Sequence, residues 1–479
     1  MKEKLGAKVW LCIVFFGLVG QIAWMVENMY LNVYLYKTVT YDLNAASAMV
    51  ASSAVVATVV TLFAGGLSDR AGKRKLFVCI GYMLWGVSVF AFALITKENS
   101  QKFFPAANAV TLTTVMIIVM DCLMTAVGST ANDAAFNAWI TDVTTKGTRA
   151  KAEGVLQVMP LAALLVIFGI FDSFTQKGQW MLFFGVLGAI TTVMGVVGLF
   201  LLKDSPDLKP KNGNFLKELV YGFRPSAVKS NRDLYLTYAA VCVVGIANNV
   251  YMTYLIIYVE YFLGIKDYVL MLGAILILSA VFSVLFGFLR GKISLWILLP
   301  TSLAVYTVGG LLMFFARNVW FVSVAGIIMM TGYLWEMALL SACMRDNTPQ
   351  GKVGHFQGIR MVFSVLIPMC VGPFIGAYVS STSNGVYVDP TTGAEQPVPT
   401  NYIFLAAVIV NVLIVIPMAI MLFKGAKKNT ETEIIIEGAP VDEDEGSGAD
   451  EKAEEEFGGA NEVPASGADV TDGERVDKR

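Results

Sequence analysis

Charge is what this chain has least of. Only 15% of its 479 residues are Asp, Glu, Lys or Arg, against 56% hydrophobic, whereas soluble domains are roughly a quarter charged. Histidine occurs once, at His355 in a basic stretch; one solvated imidazole supplies neither a His-rich metal motif nor a nucleophile–base set, so an intramembrane enzyme is the least supported class. The six cysteines (Cys12, Cys79, Cys122, Cys242, Cys343, Cys370) fall in apolar stretches without a CxxC pair, which indicates neither a disulfide frame nor a metal site. The first apolar stretch is longer than a signal-peptide core and ends in "ENMYLNVYLYK" without an Ala-x-Ala site, so it reads as a retained helix.

What is present is a set of charge-free runs: 9–26, 43–68, 76–96, 103–120, 155–171, 178–202, 234–259, 268–289, 293–316, 318–335, 361–388 and 396–423. A spanning helix needs about 20 mostly apolar residues, and backbone groups in lipid must bond within their own segment. Twelve runs therefore predict twelve membrane helices, numbered 1 to 12 in that order. With both termini cytoplasmic, the inner segments hold 24 Lys and Arg, leaving aside Arg360 and the four from Thr430 on, and the outer loops six, a decisive positive-inside bias. The net charge of −2 hides an acidic tail: from Thr430 on there are 17 acidic and four basic residues. Residues 426–479 read as a disordered cytoplasmic tail with little to bury.

The phrase "DVTTKGTRAKAEGV", beginning at Asp142, returns 204 residues later as "DNTPQGKVGHFQGI", beginning at Asp346. The first lies between helices 4 and 5, the second between helices 10 and 11. At an offset of 221, Asn28/Asn249, Tyr30/Tyr251 and Gly66/Gly287 also coincide. A six-helix unit is written twice. The expected domains are a bundle at 1–202, a basic cytoplasmic linker at 203–233 and a second bundle at 234–425. Parallel six-helix repeats are an architecture of secondary transporters, with the substrate site between the halves. The fold class expected is thus an all-α membrane protein of two pseudo-symmetric six-helix bundles.

Ionisable groups at membrane depth cost at least about 2.5–3.5 kcal/mol on insertion scales and mark function by default. Here they are Glu27, Asp121, Asp133 and Glu336, with Arg360 at the inner edge, where its long stem lets it snorkel. Asp133 lies nine residues before Asp142, and Glu336 nine before Arg345, which puts both near the bilayer midplane. "EN" in helix 1, "ND" in helix 4, "NN" in helix 7 and "WE" in helix 10 occupy repeat-equivalent positions. The expected coupling acids are Asp133 first, then Glu27, Glu336 and Asp121. The expected substrate contacts are Gln21, Trp24, Asn28, Asn132, Asn248, Asn249, Tyr251 and Tyr333. Amides suit many hydroxyls and aromatic rings suit the apolar face of a sugar, although such residues also serve as packing glue between helices. Asp69, Arg70, Arg74, Asp142, Arg149, Glu153, Arg345 and Asp346 cluster on the inner face as a candidate gate.

The stretch "GGLSDRAGKRK" (65–75) resembles the signature of the major facilitator superfamily, with Gly65, Asp69, Arg70, Gly72, Lys73 and Arg74 in place. Within it, "NDAAFNAW" and "DVTTKGTRAK" resemble the glycoside–pentoside–hexuronide:cation symporters of the melibiose-carrier type, in which an Asp followed by Phe at three residues serves cation and sugar. Asp133 and Phe136 hold those places, with Arg149 and Lys151 beyond them. "GQIAWMVE" is similar to helix 1 of sucrose-type carriers. That group carries two acids in helix 2, where this chain reads "AVVATVVTLFAG"; the departure favours a proton as coupling ion, with sodium the alternative. The resemblance implies alternating-access symport of a sugar or glycoside in the plasma membrane, without a cofactor. It further implies a monomer in the bilayer that binds a small molecule and no nucleic acid. The rival readings are an exporter of drugs or metabolites on the same fold and a non-transporting sensor that signals through its acidic tail.

Overall fold

The computed structural model describes residues 5–105, 107–205, 221–287, 293–349, 353–388 and 395–421. The tail and most of the linker lie outside them. Twelve helices among these residues are long and apolar enough to cross a membrane. They are α1 Ala7–Thr38, α2 Leu43–Ser68, α3 Arg74–Leu94, α4 Ala109–Val143, α5 Gly154–Gln176, α6 Trp180–Leu201, α7 Arg232–Phe262, α8 Tyr268–Phe286, α9 Ile297–Phe315, α10 Val319–Asn347, α11 Gly358–Thr382 and α12 Tyr402–Met421.

Five helices outrun the charge-free stretches that announced them. The runs break at Glu27, Asp121, Asp172, Glu260 and Glu336, yet α1, α4, α5, α7 and α10 continue through those residues. The physical reason is that these acids are wholly or largely enclosed by neighbouring helices and do not mark loops. In the other direction, the eleventh and twelfth runs extend too far. Beyond α11 two short strands, β1 Val386–Val388 and β2 Glu395–Pro397, pair antiparallel as a hairpin's arms. Alternating Val-Tyr-Val favours a strand and had passed for membrane helix on apolarity alone.

Capping fixes several helix ends. Asp42 accepts from the Asn44 amide at the start of α2, Asn108 from Val110 and Thr111 before α4, and Asn318 from Phe321 before α10; such side chains satisfy orphan backbone donors. At the far end of α2, Gly72 adopts φ 58°, and its N–H reaches Ser68 O. Only glycine holds that left-handed cap without strain, which gives the signature's Gly72 a structural role.

Packing follows the repeat. α1 lies on α5 and α6, and α3 lies on α4 and α6; correspondingly α7 lies on α11 and α12, and α9 on α10 and α12. The two sets of six meet where α2 crosses α11 and where α5 touches α8. Advancing each partner by six helices exchanges these two contacts, as a two-fold relation between the halves requires. Matching hydrogen bonds repeat as well. Thr144 donates to Ile140 O and Thr348 to Met344 O, a 204-residue offset; Asn28 donates to Trp24 O and Asn249 to Gly245 O, a 221-residue offset. Large apolar side chains such as Phe63, Val193, Phe200, Leu270 and Trp320 are exposed on the outer faces, where hydrocarbon replaces water as their solvent.

α3 and α6 approach backbone to backbone. A Cβ on Gly188 would lie 2.6 Å from Gly86 O and 2.9 Å from Phe90 N, while one on Gly185 meets nothing nearer than 3.8 Å. Gly188→Ala is therefore expected to lower stability by about 1–3 kcal/mol through overpacking, and Gly185→Ala by less than about 0.5 kcal/mol. Thermal unfolding of the purified detergent-solubilised variants reads the difference.

Candidate functional site

The polar marks of α1 and α4 fall inside interruptions of regular helix. Val26–Tyr30 and Ser129–Phe136 form π-turns. Such bulges widen the helix by one residue and recur at functional sites. In α1 the turn buries Glu27, at 5% exposure, and leaves Asn28 exposed. In α4 it buries Asn132 and leaves Asp133 half-buried. α7 is likewise interrupted after Met252, with a π-turn at Tyr258–Phe262.

The first six helices gather three acids. Glu27 Oε1 accepts from Thr125 Oγ1 at 2.7 Å, and Asp121 lies one turn before Thr125 on α4. Asn132 Nδ2 donates to Asp133 Oδ1 at 3.3 Å, and Asn132 Oδ1 lies 2.9 Å from the Tyr82 hydroxyl of α3. Trp24 meets Trp85 edge-on, with centroids 5.0 Å apart. Gln21 is half-buried on the same helix. One amide hydrogen of Asn28 is engaged by its own helix, at Trp24 O, which leaves its second N–H and its carbonyl oxygen to offer a ligand.

The last six helices hold a separate group. Tyr251 donates to Asn248 Oδ1 at 3.0 Å, and Asn249 Nδ2 donates to Gly245 O. Tyr333 is half-buried. Glu336 is fully buried, and its Oε2 accepts from Asn411 Nδ2 of α12 at 2.9 Å. The structure thus sets Glu336 against α12 and gathers Glu27, Asp121 and Asp133 between α1 and α4.

At the basic end, Arg74 pairs with Asp142 at 3.1 Å and donates to Ser68. The Lys75 amide donates to Asp204, and Trp139 Nε1 to Lys203 O. These links tie the signature loop to the ends of α4 and α6, all within the first six helices. Arg149 donates to the carbonyls of Thr141 and Thr144, a cationic cap for the C-terminus of α4. Arg70, Arg345 and Asp346 are exposed, as is Arg360. The side chains of Asp69, Glu153 and His355 lie outside the described residues.

The opposite end joins the halves, through residues the sequence had not singled out. Lys37 of α1 pairs with Glu260 of α7 at 2.6 Å, with side-chain exposures of 12% and 18%. Tyr36 donates to Pro397 O of the hairpin, its ring meets Tyr261, and Tyr261 meets Tyr387. The Tyr254 hydroxyl lies 2.6 Å from Ser47 Oγ of α2. Asp172, buried at the end of α5, accepts from Tyr30, Thr175, Gln176 and, across the interface, Tyr268 of α8. The signal for this seal was faint: Lys37 counted as an outer-loop lysine, and Asp172 and Glu260 as the ends of apolar runs.

Two six-helix sets with a relation of two-fold type, polar breaks in facing helices and a seal at one end define a membrane carrier that works by alternating access. The sequence agrees. The chain matches the Major Facilitator Superfamily profile over residues 9–373, and it belongs to that superfamily, a family of secondary-active transporters and not of enzymes. No curated protein matches it in sequence. Among solved structures it resembles a bacterial homologue of the human lysosomal transporter Spinster in an inward-facing, unoccupied conformation, at 13% identity and TM-score 0.63 over 87% of this chain and 96% of that one. It also resembles the nucleoside transporter NupG, at 11% identity and TM-score 0.62 over 87% and 98%. A third likeness is to the xylose transporter XylE from E. coli in a partially occluded inward-open conformation, at 13% identity and TM-score 0.62 over 86% and 96%. At such identities these likenesses are likenesses of fold.

Removing one member of a largely enclosed ion pair strands the other. Lys37→Met is expected to lower thermal stability by about 3–5 kcal/mol, and the double variant Lys37→Met/Glu260→Met to recover most of that loss. Equal loss in both variants shows that a stranded Glu260 charge is not the source of the loss.

Proposed function

We propose that this chain is a plasma-membrane symporter that accumulates a sugar or glycoside together with a proton, and that Asp133 is the coupling acid. The observation that carries this reading is the contrast among the four intramembrane acids. Glu27, Asp121 and Glu336 are sealed at 5% exposure or less; Asp133 is half-buried, in a π-turn, beside an asparagine that donates to it. A coupling acid has to meet water and substrate. The likeness of "NDAAFNAW" and "GQIAWMVE" to melibiose- and sucrose-type carriers supports a glycoside. The fold is one that a xylose transporter also uses, and Trp24, Gln21, Asn248 and Tyr333 supply the amides and ring faces a sugar uses.

In this reading the bundles of residues 1–202 and 234–425 rock about the bound sugar. The positive-inside bias places both termini in the cytoplasm, so the end sealed by Lys37–Glu260 and the tyrosines faces outward, and the structure is closed to the outside. The inward-facing description of two solved relatives fits that assignment. At the basic end, exposed Arg345 and the charged residues around the anchored Arg74–Asp142 pair supply the contacts that close that end when the outer seal opens. Protonating Asp133 removes a desolvation penalty on closure and so links the proton to sugar movement.

Reconstituted protein in proteoliposomes, offered a panel of labelled sugars under an imposed proton or sodium gradient, tests this. Gradient-driven accumulation is expected with the proton gradient and is expected to be lost in Asp133→Asn, while exchange of sugar across the membrane persists. Full accumulation in that variant removes Asp133 from the role. Efflux driven by an inward proton gradient identifies an exporter instead.

A further inference from the structure

Asp121, Thr125, Ser129 and Asp133 recur every four residues along α4. In a regular helix of about 3.6 residues per turn such a row drifts around the axis; the wider π-turn from Ser129 onward counteracts the drift, so the four groups form one continuous stripe. Its lower part faces α1, as the Thr125–Glu27 hydrogen bond shows. Three polar atoms here are buried without a partner: Glu27 Oε2, Asp121 Oδ1 and Ser129 Oγ. Their side chains are 5%, 1% and 0% exposed. The charges felt at Glu27 are those of Asp121 and Asp133, both of its own sign. Ser53 of α2 lies within hydrogen-bond reach of Asp121, and Tyr82 of α3 faces Asn132. These groups bring hydroxyls and no positive charge.

Two carboxylates enclosed together without a cation cannot both stay ionised. A proton on one of them donates to the other and satisfies both orphan acceptors with a single hydrogen bond. We propose that Glu27 and Asp121 share one resident proton between Glu27 Oε2 and Asp121 Oδ1 and act as a storage site by taking up a second, passed from Asp133 through the hydroxyls of Ser129 and Thr125. The proposal deepens the proton-coupling reading. Asp133 exchanges with water, the two hydroxyls relay by passing one proton on as each accepts another, and the buried pair cycles between one proton and two, never holding two ionised carboxylates while the halves move.

Infrared spectroscopy of the purified full-length protein tests this without any transported substrate. The wild type is expected to show the C=O band of a protonated carboxyl at neutral pH. Glu27→Gln and Asp121→Asn are each expected to lose it, because the introduced amide donates to the remaining carboxylate, and Asp133→Asn to keep it. Thr125→Val, which withdraws the donor at Glu27 Oε1, is expected to shift the band and serves if the charge variants do not fold. Ser129→Ala is expected to slow exchange of the proton for deuterium. Unchanged bands in both Glu27→Gln and Asp121→Asn overturn the proposal. So does a band erased by sodium chloride and not by choline chloride, since the pair then holds sodium. Failure of proton-driven sugar uptake, with the bands behaving as stated, overturns the coupling assignment of Asp133 and leaves the storage site standing.

Discussion

An acid removed from water has to be given hydrogen-bond donors, a cation or a proton. That constraint organises the polar anatomy of this carrier. Asp172 receives donors: two tyrosine hydroxyls, Thr175 and Gln176. Glu260 receives a cation, Lys37. Glu336 receives one amide donor, from Asn411, and its second oxygen is left unpartnered. Glu27 and Asp121 have hydroxyl neighbours and each other. The first two solutions draw on both halves of the molecule and close one end. The others lie within a single half, where they remain enclosed whichever way the halves rock.

That division separates what must break from what must persist during transport. Polar bonds between halves are individually modest, about 0.5–1.5 kcal/mol when neutral and about 1.5–3 kcal/mol with a charged partner, so a seal made of several is firm yet separable. The hairpin adds a strap: Pro397 O receives Tyr36 of α1, while Tyr387 touches Tyr261 of α7. Within each half the contacts are of another kind. Gly86, Gly188 and Gly195 bring the backbones of α3 and α6 together, and Gly309 and Gly332 do the same for α9 and α10. Dry, close-packed helix pairs of this sort move as units.

Much of the fold was legible because lipid imposes a simple rule on sequence. Twelve apolar runs became twelve helices, and the repeated phrase after helices 4 and 10 became a repeated hydrogen bond, Thr144 to Ile140 and Thr348 to Met344. Helix ends were legible wherever a charge meant water and illegible wherever it meant burial, which is why α1 runs eleven residues past Glu27, to Thr38. The candidate site was read by residue type and not by partner. Asp133 and Glu27 were picked out as acids at depth. That Thr125 and Asn411 would engage Glu27 and Glu336, or that Tyr268 would reach across to Asp172, depends on pairings between helices far apart in the chain, and no local pattern encodes them.

The two halves, although one unit repeated, have diverged in their chemistry. Asn28 and Asn249 keep the same bond to their own helix, so the scaffold of α1 and α7 is shared. Glu27, however, corresponds to Asn248, and Asn132 to Glu336. The first half concentrates its acids where α1 meets α4. The second half has amides on α7 and a single buried acid on α10, turned to α12, and α10 runs as one unbroken α-helix, whereas its counterpart α4 is broken by a π-turn. A symmetric carrier would have two equivalent sites and no preferred task for either. Here the asymmetry gives the first half ionisable groups beside an interrupted helix and the second half amides and tyrosines, the distribution on which the proposed division between proton handling and hydroxyl recognition rests.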